Sequence, residues 1–286
     1  MSGSAPIMDP LPLSMLERNW ARLCRETGLS EEFSDKRLEI LRKLSVEQLL
    51  EMDGPKTFWG PVEDGRFLPT SLRLGDPTPE YRCKRIIIGD VGMDAIIFDK
   101  VATHVPQAVF RQEVQVTFPS ASDAATFCSL FGLSVLEDLP AMQFRDAMRY
   151  LVSVVIFHFP SIAIAEVFGS NAYLYHFEER SPYDGPTHGL PVHGQCAVYL
   201  YNSERKAWPE SARTTSSEMA RLFMAFAYSE EPREPYLAGK RFLRFGPGGI
   251  CGMTGFSDDK TRDYGYLEWL KVNFEAARGL VLGLDL

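Results

Sequence analysis

The chain has no block of lysine and arginine and no basic stripe interleaved with aromatics. Its 30 basic residues are outnumbered by 38 acidic ones, for a formal net charge of −8. A protein that follows a phosphate backbone needs such a patch, so nucleic acid is excluded as a partner. Cysteine is scarce: Cys24, Cys83, Cys128, Cys196 and Cys251 stand far apart without a C-x-x-C pair. That excludes a zinc ribbon and a dense disulfide framework, and it favours a reducing compartment. Met1 to Pro10 has neither a basic start nor an apolar centre, so it is not a secretory signal. No apolar run reaches the roughly 20 residues a membrane span needs. The longest, Tyr150 to Phe168, contains Ser153, His158, Pro160, Ser161 and Glu166, and predicts two buried segments with a turn at Pro160. The glycine-rich run Gly246 to Gly252 fails as a dinucleotide loop, because Cys251 stands where the last glycine belongs and Pro247 disfavours the phosphate turn. No cofactor is implied, and no repeat or low-complexity tract is visible.

What is present describes a globular protein: 45% of the 286 residues are hydrophobic and 24% charged, enough for one large domain or two small ones. Pro12 to Arg25 and Ser34 to Leu50 carry apolar residues near helical spacing and predict two surface-packed helices. Gly60 to Pro69 contains Asp64-Gly65, which predicts a hairpin-like reversal. Arg85 to Gly89 is a β-branched run ending in Gly89-Asp90-Val91-Gly92, the pattern of a central strand covered on both faces. Its exit presents Asp90 and Asp94. Thr214 to Tyr228 predicts an amphipathic helix with Met219, Leu222, Phe223 and Phe226 on one face. Arg241 to Phe245 alternates like a strand, and Tyr264 to Leu280 predicts a closing helix.

The stretch with the most chemistry in it is Tyr173 to Asn202. An aromatic-rich strand, Tyr173 to Phe177, feeds a loop that Ser181-Pro182-Tyr183-Asp184-Gly185-Pro186 keeps out of helix and strand alike. The loop carries His188-Gly189 and His193-Gly194 before an apolar run resumes at Ala197. A histidine on a loop held by firm secondary structure is a common position for a catalytic base, and the residues alone leave His188 and His193 open.

Tyr173-Leu174-Tyr175-x-Phe177, a Pro/Gly loop, then His193-Gly194-x-x-x-x-Tyr199-x-Tyr201 resembles the segment around the catalytic histidine of type-B carboxylesterases, the family that includes cholinesterases and fungal lipases. The resemblance implies His193 as the base. Ile86 to Phe98 is similar to the family's strand that leads into a D-E-G sequence, whose glutamate orients that histidine. Here the D-E-G is Met93-Asp94-Ala95, so the resemblance implies Asp94 as the acid, with Asp90 as competitor. It also implies that Phe127 to Phe144 and Tyr150 to Phe168 wall a substrate gorge. The implied fold is α/β: the C-terminal part of an α/β-hydrolase, a partial central sheet flanked by helices, as one domain over residues 1–286. In that fold the triad runs Ser, Asp/Glu, His along the chain. Asp94 before His193 fits the second and third places.

The first place is empty: the sequence has no G-x-S-x-G elbow and no HGGG-type oxyanion run. Ser2-Gly3-Ser4 resembles the Q-S-G-S segment that follows the elbow in the family, so the likeness covers only the C-terminal half of the family's domain and predicts an N-terminally incomplete one. The expected function is carboxylic ester hydrolysis by a triad of which this chain holds the acid and the base, inactive alone and accepting a small ester once an N-terminal half completes it. A sheet missing that half predicts oligomers through its exposed strand edge. The alternative is a cholinesterase-like interaction module without catalysis. A metal-assisted hydrolase using His188, His193 and a carboxylate lacks any H-E-x-x-H. The expected location is cytoplasmic, or secreted if a leader precedes Met1.

Overall fold

The computed structural model describes residues 11–26, 28–29, 34–53, 62–66, 84–99, 104–201 and 205–284. Internal contacts divide the chain into two compact units, Met8–Asp76 and a larger one containing Pro77–Leu286.

In the smaller unit, β1 (Leu11–Pro12) leads directly into α1 (Leu13–Glu26), followed by α2 (Ser34–Leu41), α3 (Val46–Asp53) and β2 (Val62–Glu63). The single helix expected over Ser34 to Leu50 is two. The chain turns at residues 42–45, and Ser45 accepts from the Gln48 backbone N–H while Gln48 returns a side-chain oxygen to the Ser45 N–H, a reciprocal cap that starts α3. Cys24, Leu29 and Leu41 form its small core. Asp64 does accept from the Arg66 backbone N–H, as in a turn. Val62–Glu63, however, pairs in parallel with Leu11–Pro12 rather than in a hairpin, and residues 67–83 lie outside the described residues.

The larger unit is α/β. Its sheet has the order β3 (Ile86–Val91), β4 (Ala172–Phe177), β5 (Arg241–Phe245), β6 (Cys251–Gly255); the first three are parallel and β6 is antiparallel. Period-two alternation decides which residues face which layer. Ile87, Tyr173, Tyr175, Phe177, Leu243 and Phe245 pack on one face against Tyr199, Ala212, Met219 and Leu222. Ile88, Leu174 and Phe242 pack on the other against Ile162, Ala165 and Tyr236. Each large aromatic sealed between these layers contributes about 2–3 kcal/mol of transfer free energy.

The connection from β3 to β4 is helical: a 3-10 turn (Asp94–Phe98), then α4 (Gln107–Thr117), α5 (Ala121–Leu130), α6 (Ala141–Ser153), a π turn (Val154–His158) and α7 (Phe159–Phe168). The turn expected at Pro160 does not occur. Proline fixes its φ, lacks an N–H and crowds the turn before it, and here it stands second in α7, directly after the wider π turn, where the helix carries it without ending. The helix is therefore continuous over Ala141–Asn171, long and apolar enough to cross a membrane by length and composition, with 72% of its most apolar window buried inside the protein.

After β4 come α8 (Gln195–Leu200), α9 (Glu210–Ala227), α10 (Tyr236–Gly239) and, after β6, α11 (Leu267–Gly283). The apolar face expected on α9 is the one it buries, with Met219 and Leu222 sealed and Phe223 and Phe226 partly so. β3 does not stop at Gly89: it runs on through Asp90 and Val91. Gly89 is required inside the strand because a Cβ there would stand 2.2 Å from the Tyr175 carbonyl oxygen.

Candidate active site

Parallel pairing of β3 with β4 in the register Val91↔Phe177 brings both carboxyl-terminal strand ends to one edge of the sheet. Loops that leave such ends side by side are where open α/β sheets place their sites. The Gly92 N–H donates to the Phe177 carbonyl at 3.0 Å, and the Met93 N–H to the Pro191 carbonyl at 2.8 Å. Met93 also forms a bridge with Val192. The long loop after β4 is thus folded back along the exit of β3, and the next residue on each side is the pair of interest.

His193 Nδ1 lies 2.7 Å from Asp94 Oδ1. Asp94 is fully buried, while 26% of the His193 side chain is exposed. The second Asp94 oxygen accepts from the Val91 N–H at 2.7 Å, and the Ala95 N–H donates to Ser153 Oγ at 3.0 Å, so the 3-10 turn is anchored at its start. The Phe157 ring packs against the imidazole, centroids 5.3 Å apart. Gly194 follows with φ +78, a left-handed conformation that glycine adopts without strain and that turns the chain into α8 directly behind the histidine. Burial raises the Asp94 carboxyl to about 6, with the charge of Asp90 adding to it and hydrogen bonds from His193 and Val91 opposing. At neutral pH it is mainly a carboxylate. A carboxylate at Nδ1 fixes the tautomer with the proton on that nitrogen and leaves Nε2 as the acceptor; among the described residues nothing hydrogen-bonds Nε2. An imidazole held this way can take a proton from a hydroxyl and return it.

The other two candidates have different partners. His188 is on an exposed part of the loop, its Nδ1 at 3.1 Å from the Tyr183 carbonyl, away from both aspartates. Asp90 is inside β3, close to Asp94, and meets a group the sequence did not single out. His176 Nδ1 is 2.9 Å from Asp90 Oδ1, and Arg262 Nη1 is 2.5 Å from the same oxygen. Arg262 Nε donates in turn to Glu178. All four are buried. Burial alone would raise the Asp90 carboxyl, yet the Arg262 guanidinium, with His176 beside it, holds it well below the usual carboxylate range. The signal in the sequence was a polar residue in each of two apolar strands, which register then pairs directly.

Asp90, Asp94 and His158 offer ligand atoms within 4.8 Å of one another and could be read as a metal cluster. The donor set argues against it. Both Asp94 oxygens are already engaged by His193 and Val91, and a cation would sit against the Arg262 guanidinium that neutralises Asp90. Two cavities, of about 460 and 110 Å³, open elsewhere on the larger unit, and neither is lined by Asp94 or His193.

Comparisons with known proteins agree with this topology. The family model described as the carboxylesterase family matches residues 1–248. A crystal structure of Aspergillus niger EstA superposes with a TM-score of 0.66 over 100% of this chain at 13% identity, a likeness of fold. The chain spans 58% of the length of that one. No curated protein matches.

Proposed function

The chain belongs to the carboxylesterase family, and from that premise we propose that it carries the acid and the base of a Ser–Asp–His relay for carboxylic ester hydrolysis, Asp94 and His193, with the serine supplied by polypeptide outside this sequence. The observation that carries the reading is the 2.7 Å contact between a fully buried carboxylate and a histidine whose side chain remains partly exposed. Nε2 of His193 accepts the serine proton as the hydroxyl attacks the ester carbonyl, then returns it to the leaving alcohol. Asp94 holds the imidazole in the tautomer this requires and stabilises the imidazolium in between.

Loss of the nucleophile from such a triad costs about 10⁶ in kcat, and the residual rate of about 10³–10⁴ over water needs an oxyanion hole and a binding site. The sequence offers no HGGG-type run for that hole. The chain alone therefore turns over no p-nitrophenyl acetate above the buffer rate. A turnover that His193→Ala abolishes would overturn this and mean that a nucleophile is present in the chain.

Reading the transcript upstream of the Met1 codon is the direct test of the whole proposal. An in-frame segment encoding G-x-S-x-G predicts that the joined protein hydrolyses p-nitrophenyl acetate and loses about 10⁶ in kcat on His193→Ala. Full activity in that variant sinks the assignment. With no such segment, the interaction module without catalysis takes its place. The free thiols of Cys128 and Cys251 support a reducing compartment.

A further inference from the structure

Within the continuous helix Ala141–Asn171, the five residues Val154–His158 widen into a π turn, closed by the Phe159 N–H on the Val154 carbonyl. Such a turn inserts one residue into an α-helix and is frequent at functional sites. Three side chains in or beside this one reach the acid–base pair. Ser153 Oγ accepts from the Ala95 N–H, next to the acid. Phe157 packs on the imidazole ring of His193. His158 Nε2 lies 3.1 Å from the Val91 carbonyl, and the N–H of that same residue holds Asp94 Oδ2. Residues 153 and 158 are five apart, the spacing a π turn brings onto one face; in a plain α-helix they would diverge, and one of the contacts would be lost.

His158 is fully buried, and its Nδ1 has no hydrogen-bond partner among the described residues. Burial, followed by the nearby Arg262 charge, pulls its pKa down to about 3, so it is neutral, with the single proton on Nε2 donated to Val91. A hydrophobic side chain would fill this place at less cost, because a buried polar atom left unpaired is expensive. What the imidazole supplies here, and a hydrophobic side chain would not, is its one donated bond to Val91.

We propose that the π turn is the positioning element of the acid–base pair, with His158 fixing Asp94 through Val91 and Phe157 fixing the imidazole plane of His193. This rests on the reading of Asp94 and His193 as acid and base. The test is proton and nitrogen NMR of the intact chain, which reads the Nδ1–H of His193 and its titration without any turnover. His158→Leu keeps the volume and removes the donor; it broadens or abolishes the hydrogen-bonded Nδ1–H signal and moves the His193 midpoint. His158→Gln, whose amide can donate to Val91, restores both. Phe157→Leu, the variant to use if His158→Leu fails to fold, broadens the same signal. Leu151→Ala, one turn earlier in the buried core, lowers stability but leaves the signal in place. The proposal is overturned if His158→Leu leaves signal and midpoint unchanged, or if Leu151→Ala shifts them as much. If instead the unsubstituted chain shows no Nδ1–H signal sensitive to Asp94→Asn, the acid–base reading itself falls.

Discussion

Asp94 with His193 and Asp90 with His176 are two imidazole–carboxylate contacts of nearly equal length, 2.7 and 2.9 Å, made by aspartates four residues apart at the end of one strand. Their surroundings differ. Asp90 is sealed with Arg262, whose charge holds the carboxyl ionised, and His176 is 0% exposed. Asp94 is equally buried but has no cation, so burial raises it to about 6, and its histidine reaches the surface. The first arrangement is suited to joining β3, β4 and the segment before α11; the second leaves a basic nitrogen available. The same two residue types thus make a sealed clamp or a contact that reaches the surface, according to whether a guanidinium is packed beside them.

The comparison breaks most sharply at Arg262. Arg262→Met leaves Asp90 and Glu178 buried without a partner and is expected to cost about 3–5 kcal/mol in urea unfolding. Asp94→Asn, whose acid already tolerates the neutral form, costs far less. Equal losses in the two variants would remove the distinction drawn here.

A pH series separates the two aspartates by sign. Folded Asp94 holds its proton to about 6 against an ordinary 3.8, so between those values the folded state binds more protons than the unfolded one. Its contribution is full below pH 3.8 and is lost as pH rises through about 6, a fall of about 2–3 kcal/mol. Asp90 runs the other way, stabilising above 3.8 and losing that contribution as pH drops below it. In denaturant midpoints measured from pH 3 to 8, Asp94→Asn should abolish the fall on the neutral side, and Asp90→Asn the loss on the acid side. An unchanged neutral side in Asp94→Asn would place the raised carboxyl elsewhere.

Gly194→Ala tests the geometry rather than the charge. No atom lies within 4 Å of the added methyl, so the cost is the left-handed backbone alone, about 1–2 kcal/mol, and the His193 titration should shift with it. A thermal melt and an imidazole titration check the two together. The smallest effect belongs to the other His-Gly pair. His188→Ala should change stability by less than about 0.5 kcal/mol and leave the His193 midpoint untouched, since its side chain is on the exposed part of the loop.

Much of the fold was legible because local patterns coincide with the elements. The β-branched run near Ile86, the aromatic strand near Tyr175 and the apolar face of α9 all follow from period and propensity. The failures have physical causes. Pro160 reads as a break, yet it stands second in α7, directly after the wider π turn, and the helix carries it without ending. Asp90 reads as a residue beyond the strand, because a charge inside a covered strand is costly without a partner, and that partner, Arg262, lies 172 positions further on. Likewise His176, Glu178 and His158 carry no motif; only register and helix phase bring them to the strand end.

From the sequence by itself came the residue types and their order along the chain: an acid after one strand, a histidine followed by glycine after the next, and the likeness to a family in which such an acid and base cooperate. These are local properties, set by neighbours within a few positions. The tertiary structure decided which aspartate meets which histidine, because the β3–β4 register places Val91 opposite Phe177, so that the loop after β4 can close on the exit of β3. It also decided which pair is neutralised, since the interaction of buried charges depends on distances between residues far apart in the chain, and no local pattern encodes those distances.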